Sequence, residues 1–286
     1  MCLPGTAEAV RARDEQDAGP RVDRRTVLTG AATAAVAAAF PGAAFAGRRP
    51  RGHGRGRRIQ DLTHTFRAEF PIYGNPPLFD PPSKRVVVNV VPNGFYGQEW
   101  RFWEHSGTHM DAPGHFVVNG RFTPEITPQE LVLPLFVVDI SRKAAANPDA
   151  EVTVDDLRRA ERGQGRIHRG SLVAMNSGWD VRAGSAQSFR NPDASGVYHF
   201  PGFSGKAVEW LIERRDIAAI GVDTLSLDPG NATEFDAHLT LLRADRYGLE
   251  GLANLGNVKP NGAMVTVGVV PWQDGSGGPA RVLASW

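Results

Sequence analysis

His105-Ser106-Gly107-Thr108-His109-Met110-Asp111-Ala112-Pro113-Gly114-His115 places three of the chain's eight histidines and an aspartate within eleven residues. Neither packing nor solubility calls for that density. Imidazole and carboxylate together suit a divalent cation such as zinc or manganese. Gly107 and Pro113 argue against a helix. In an extended backbone, residues an even number apart share a face, so His105, His109 and Asp111 point the same way. A helix would align His105 with His109 and throw Asp111 off that face. The stretch is therefore read as extended, with Pro113-Gly114 turning the chain and His115 returning from a loop.

Working outward, Ile59 to Thr63 is read as a first strand. Pro71 to Pro82 is a Pro/Gly-rich loop carrying Tyr73 and Phe79. The β-branched run Arg85 to Val91 predicts a buried strand, and Glu99 to Glu104 a strand leading into the histidine motif. Leu131 to Ile140 and Gly170 to Asn176 predict further strands, and residues 180–203 a long loop. Thr153 to Arg162 has a helix pattern: Thr153 caps it, Asp155 and Asp156 sit in the first turn, and Gly163 follows the end. Ser204 to Arg214 predicts an amphipathic helix with Ala207, Trp210 and Leu211 on its apolar face. Ile217 to Leu225 and Ala263 to Val270 read as strands, Arg281 to Ser285 as a last edge, and His238 to Leu242 as a short segment of open type. Strands and helices mixed in this way indicate an α/β or α+β fold. Helices are too few for a (β/α)8 barrel, and no Gly-rich loop joins a strand to a helix as a nucleotide site requires.

The 286 residues are 41% hydrophobic and 22% charged, with a formal net charge of +1. That balance is ordinary for a soluble globular chain and gives no field that recruits nucleic acid. Cys2 is the only cysteine, which excludes a disulfide framework or a cysteine-based zinc site within one chain. Residues 1–46 read as a twin-arginine export signal. Arg24-Arg25 precedes an Ala-rich apolar run from Ala31 to Phe40, and Ala44-Phe45-Ala46 offers a cleavage site. The run is too short for a membrane span, so the protein is expected to be secreted or envelope-associated without a stable membrane anchor. Residues 47–58 carry six arginines and no acid and read as a flexible Arg/Gly-rich tail. Residues 59–286 remain as the folded domain.

A second pair, His238 and Glu250, lies in a region otherwise made of apolar and turn residues. Singly, such residues are usually structural; beside the first motif they gain weight. Ser226 and Asp228 follow a predicted strand, where a hydroxyl or carboxylate more often satisfies backbone groups than serves a ligand. Trp103, Phe116, Trp179, Tyr73 and Phe203 are candidate walls of a pocket for a flat ring, though aromatic residues mostly bury for packing.

The motif H-S-G-T-H-M-D-A-P-G-H resembles the H-x-G-T-H-x-D-x-P-x-H signature of the metal-dependent cyclase family, which includes bacterial kynurenine formamidases, isatin hydrolases and proteins called polyketide cyclases. The resemblance runs from Asp61-Leu62-Thr63 through Phe203 to Leu211, Ile220 to Asp228, His238 and Glu250 to Leu255, and ends at Pro279-Ala280-Arg281. It implies a single α/β domain with mixed β-sheets, of swivelling β/β/α or barrel-like core, flanked by helices. It also implies a homodimer or larger homo-oligomer. By the same resemblance His105, His109 and Asp111 bind one divalent metal, and Asp111 bridges to a second held by His238 and Glu250, zinc in first place and manganese as the alternative. The implied reaction is hydrolysis of a small-molecule amide C–N bond, of arylformamide or cyclic-amide type, by metal-hydroxide attack on the carbonyl with His115 as general base and acid, a further metal ligand being the alternative role for that imidazole. Polyketide cyclisation, lactone hydrolysis and non-catalytic binding of a metal or small molecule are the competing expectations.

Overall fold

Seven strands pair into a closed ring whose apolar side chains alternate between its two faces. The computed structural model describes residues 57–74 and 79–286, and the export-signal expectation and most of the Arg/Gly tail lie outside them. In chain order the strands are β1 (Ile59–Asp61), β2 (Ser83–Val88), β3 (Gly97–Arg101), β4 (His109–Asp111), β5 (Val132–Asp139), β6 (Glu151–Val152), β7 (Leu172–Asn176), β8 (Gly202–Phe203), β9 (Ala219–Val222), β10 (Tyr247–Glu250), β11 (Asn261–Val269) and β12 (Gly277–Ser285). The helices used below are α1 (Ser141–Ala146), α2 (Val154–Gln164), α3 (Ala186–Arg190), α4 (Gly205–Arg215) and α5 (Asp236–Arg243).

The described residues form two compact units, residues 85–99 and residues 57–84 with 100–286. In the larger unit the main sheet runs β1-β12-β11-β5-β7-β9-β10-β4, and β4 pairs again with β12. Seven strands, β4 to β12 in this order, therefore make a closed barrel. β5, β7, β9 and β10 are parallel neighbours, and the remaining seams are antiparallel. Met110, Leu133, Leu135, Val137, Leu172, Ala174, Ala219, Leu249, Val265 and Val282 come from all round the ring and share one buried cluster, the barrel interior. Their neighbours Phe136, Val138, Val173, Met175, Ile220 and Val222 face the other way and pack under Leu157 of α2, Val208 and Leu211 of α4 and Leu241 of α5. The period-two pattern thus builds two apolar layers from the same strands. This is the barrel-like α/β core expected from the resemblance.

Several local expectations are corrected. Residues 85–91 are not buried: among the described residues β2 pairs only with β3 in a two-stranded sheet, and Val86, Val87 and Val91 are exposed. A β-branched run reports a strand, but burial needs a covering layer. α2 runs past Gly163 and ends at Gly165, whose φ of +91° suits a glycine cap. Its start is as read, with Thr153 capping the Asp156 backbone N–H. The loop over 180–203 contains α3 and β8. Residues 281–285 are not an edge: β12 spans nine residues and pairs with β1, β11 and β4. The tail ends earlier than read, because the Arg58 backbone exchanges hydrogen bonds with Trp286 and the Arg57 guanidinium reaches Ser285 Oγ at 2.6 Å. No described helix is long and apolar enough to cross a membrane.

Candidate metal centre

Met110 and Leu249 point into the barrel, so His109, Asp111 and Glu250 project outward. β4 and β10 are antiparallel neighbours with His109 directly opposite Glu250. Strand pairing alone therefore sets an imidazole and two carboxylates on one patch. α5 runs over that patch and delivers His238, so the segment left open between 238 and 242 is helical. His105 departs from the expected geometry. The extended backbone breaks at Gly107, whose φ is +73°, and β4 begins only at His109. The bend, which favours glycine, still brings His105 back, with Nδ1 2.6 Å from Asp111 Oδ1. Gly277 permits a matching close approach. A Cβ there would collide with the Met110 carbonyl and lie 2.6 Å from the His105 ring.

Each histidine has one nitrogen occupied by an outer partner. His109 Nδ1 lies 3.0 Å from the Gly107 carbonyl, which can only accept, so Nδ1 carries the proton. His238 Nδ1 donates to Asp228 Oδ2 at 2.5 Å. Ser276 Oγ donates to Glu104 Oε2 at 2.7 Å and so must accept from His105 Nε2 at 3.0 Å. The remaining nitrogen of every ring then turns a lone pair inward. His109 Nε2 lies 3.3 Å from both Asp111 Oδ1 and Glu250 Oε2. His238 Nε2 lies 3.4 Å from Asp111 Oδ2 and 3.1 Å from Glu250 Oε1. Lone pairs against carboxylate oxygens repel unless a proton or metal cation lies between them. His109 Nε2 and Asp111 Oδ2 are buried and make no hydrogen bond, a cost ordinarily relieved by a ligand.

The electrostatics agree. Burial works to lower the His109 pKa, but Asp111 and Glu250 overturn it and carry it up to about 10. His238, against the same burial, is held well above the ordinary range by Asp111, Asp228 and Glu250. Burial alone would raise Asp111 and Glu250; the facing imidazoles hold Asp111 well below its usual value and lower Glu250. Protons here do the neutralising that a divalent cation would do. His105, His109 and Asp111 bring ligand atoms close enough to share one ion, as do Asp111, His238 and Glu250. The outer partners of the histidines are the hydrogen bonds that usually fix tautomer and ring orientation in such sites.

Beside the cluster is a cavity of about 340 Å³. Tyr73, Phe79, Trp103, Phe116, Leu225, Ser226 and Phe235 line it, with His105, His109, His115, His238 and Glu250 at its polar end. His115, on the short turn after Pro113, stacks on His105 with ring centroids 3.7 Å apart. Burial pushes its pKa down to about 4, so it is neutral near pH 7. Phe116 stacks on His238 at 4.8 Å.

Trp103, Phe116, Tyr73 and Ser226 thus stand at the cavity, but two candidates do not. Trp179 is 2% exposed and packs with Phe70, Ala183, Phe189, Phe200 and Leu225, its Nε1–H donating to the Phe189 carbonyl. Its ring fills a core with these residues and is absent from the cavity lining. Phe203 lies in the layer under α4. Asp228 is not at the cavity either; it orients His238 and accepts from the Ala237 and His238 backbone N–H groups. Sequence reasoning missed Phe235, one residue before α5; reading 236–243 as a helix would have placed it three residues from His238. Glu104 and Ser276 gave no signal, being 172 positions apart.

A family model described as "Putative cyclase" matches residues 60–229. An isatin hydrolase from Roseibium aggregatum is 33% identical over 240 residues, covering 79% of this chain and 90% of that protein. A kynurenine formamidase from Sphingopyxis alaskensis is 26% identical over 206 residues, covering 71% of this chain and 86% of that protein. Among solved structures, isatin hydrolase A from Ralstonia solanacearum superposes with a TM-score of 0.76 at 34% identity, over 81% of this chain and 93% of that one. An isatin hydrolase bound to the product analogue thioisatinate gives 0.76 at 32% identity, over 80% and 92%. With a matching family model over more than half its length and relatives of that kind, the chain belongs to the putative cyclase family.

Proposed function

We propose that this protein is a metal-dependent hydrolase of amide C–N bonds, acting on an uncharged cyclic aryl amide of the isatin type. The observation that carries the reading is the set of three imidazoles, each locked by an outer hydrogen bond so that its lone pair faces the shared carboxylates at the end of an aromatic-walled cavity. His105, His109 and Asp111 would hold one divalent cation, and Asp111, His238 and Glu250 a second, with zinc or manganese both compatible with the donors. Bound there, such a cation acidifies a water and polarises a carbonyl oxygen. His115, neutral near pH 7, takes the proton of the attacking water and delivers it to the nitrogen as the C–N bond breaks. The rings of Trp103, Phe116 and Phe235 orient a flat substrate and keep bulk water from the carbonyl.

An arylformamide is the second reading, supported by the kynurenine formamidase relative. One observation sets it behind the first. Among the described residues lining the cavity there is no Lys or Arg, so an α-amino acid side arm would bury its carboxylate without a cationic partner, at a cost of several kcal/mol. Export in folded form through the twin-arginine route, and assembly as a homodimer or larger homo-oligomer, belong to the same reading. The test is a turnover screen of purified protein loaded with zinc or manganese. Isatin, N-formylkynurenine, formanilide and simple lactones are followed together, with metal content measured alongside. Ring opening of isatin faster than deformylation is the expected result. Metal retained at wild-type stoichiometry with no turnover of any carbonyl substrate would instead favour a binding protein.

A further inference from the structure

One part of the cavity wall is neither strand nor helix but the chain at 71–73, and a side chain far away in sequence holds it. Arg190 is the last residue of α3. Its Nε donates to the Ile72 carbonyl and its Nη2 to the Gly74 carbonyl, both at 2.9 Å. These are the two carbonyls that flank Tyr73. The guanidinium also stands 5.7 Å from the Tyr198 ring, and Tyr198 meets Tyr73 edge-on at 5.6 Å. Tyr73 in turn contacts Phe235 at 6.2 Å, the aromatic residue beside the helix that carries His238. A planar guanidinium holds two carbonyls along fixed donor directions, whereas an ammonium is a compact charge with rotatable donors on a flexible stem.

We propose that Arg190 is a positioning residue for substrate specificity. By clamping both sides of Tyr73 it fixes that ring as the wall against the aryl part of the substrate. This rests on the proposed function only for the identity of the ligand. α3 itself is anchored by Phe189 in the buried cluster with Trp179 and Phe200, so the clamp transmits a rigid core to an otherwise irregular stretch. The carbonyl-reacting end is not touched by Arg190, so loss of the clamp weakens binding more than the chemical step.

The experiment compares wild type with Arg190→Lys, Tyr73→Ala and the double variant, all metal-loaded, by three readouts. Hydrogen exchange over the peptide spanning residues 66–82 reads the clamp directly. Isatin affinity, by calorimetry, reads the wall without requiring turnover. KM and kcat for isatin read the split. In Arg190→Lys, exchange at 72–74 should speed about tenfold or more with the rest of the chain unchanged. Isatin affinity and KM should weaken about tenfold while kcat changes less than threefold, and the double variant should be no worse than Tyr73→Ala. Unchanged exchange overturns the clamp. Faster exchange with unchanged affinity, or a wild type that binds no isatin, overturns the specificity role. Wild type that binds isatin without hydrolysing it refutes the proposed function and leaves this inference to be judged on affinity and exchange.

Discussion

Asp228→Asn is the most revealing single change, because the carboxylate touches no cavity and yet sets the site. Asp228 Oδ1 accepts from the Ala237 N–H at 2.7 Å, and Oδ2 from the His238 N–H at 3.2 Å and His238 Nδ1–H at 2.5 Å. All three donors belong to the first turn of α5 or its histidine. An amide has one acceptor oxygen and one NH2 group. Whichever way it turns, an N–H faces an N–H, and at least one buried donor loses its partner. Each such loss costs about 1–3 kcal/mol, and the negative charge at the helix start, worth about 0.3–1 kcal/mol, goes as well. The sum is about 1–4 kcal/mol, or a fall in Tm of roughly 3–15 °C for a domain of this size. The His238 ring also loses the partner that turns its Nε2 inward, and loss of such outer contacts typically weakens metal affinity about 10–100-fold. Differential scanning fluorimetry gives the first quantity and competition with a chelating dye the second. A variant within 1 °C of wild type, binding metal within twofold, would refute the orienting role.

The other expectations are as direct. His115→Gln should lower kcat by roughly 10²–10⁴-fold with metal content unchanged; loss of metal in the variant would make His115 a ligand. Gly107→Ala forces a Cβ into a positive-φ position 2.7 Å from the Phe66 ring. It should cost about 1–3 kcal/mol and weaken metal binding through His105, as read by thermal melts and chelator competition. Glu130, bonded at both oxygens by Arg121 and at one by Thr127, has its pKa drawn down from 4.5 to about 2. Because the folded value is depressed, the stabilisation is present above pH 4.5 and lost as pH falls through about 2. Wild type should therefore lose more stability between pH 5 and pH 2 than Glu130→Gln, by about 1 kcal/mol given the partial exposure; parallel curves would exclude the contribution.

The histidine motif was legible because ligand chemistry leaves a dense local pattern, and parity along β4 does set His109 and Asp111 on one face. Parity failed at His105, since a single left-handed glycine resets the direction of the chain and residue spacing does not report φ. His238 and Glu250 stood out as polar residues in apolar surroundings, but only strand register and the placement of α5 bring them to the motif. The exposed valines of β2 and the buried ring of Trp179 were misjudged for one reason. Hydrophobicity tells what prefers burial, whereas what covers a residue depends on chain segments far away in sequence. The Arg190 clamp and the Glu104–Ser276 pair were invisible for the same cause.

β4 lies between β10 and β12, with His109 opposite Glu250 on one side and Pro279 on the other. This seam has a kinetic meaning. His109 is 141 positions from Glu250 and 170 from Pro279, so the contacts have high order and carry a large loop-closure penalty. During synthesis the histidine motif leaves the ribosome long before β10 and β12 exist. Until those strands arrive, the motif has neither its facing carboxylate nor the glycine-lined strand that packs against His105. Metal capture at full affinity therefore waits for closure of the barrel, and the rate of metal uptake by refolding protein should follow the slowest folding phase.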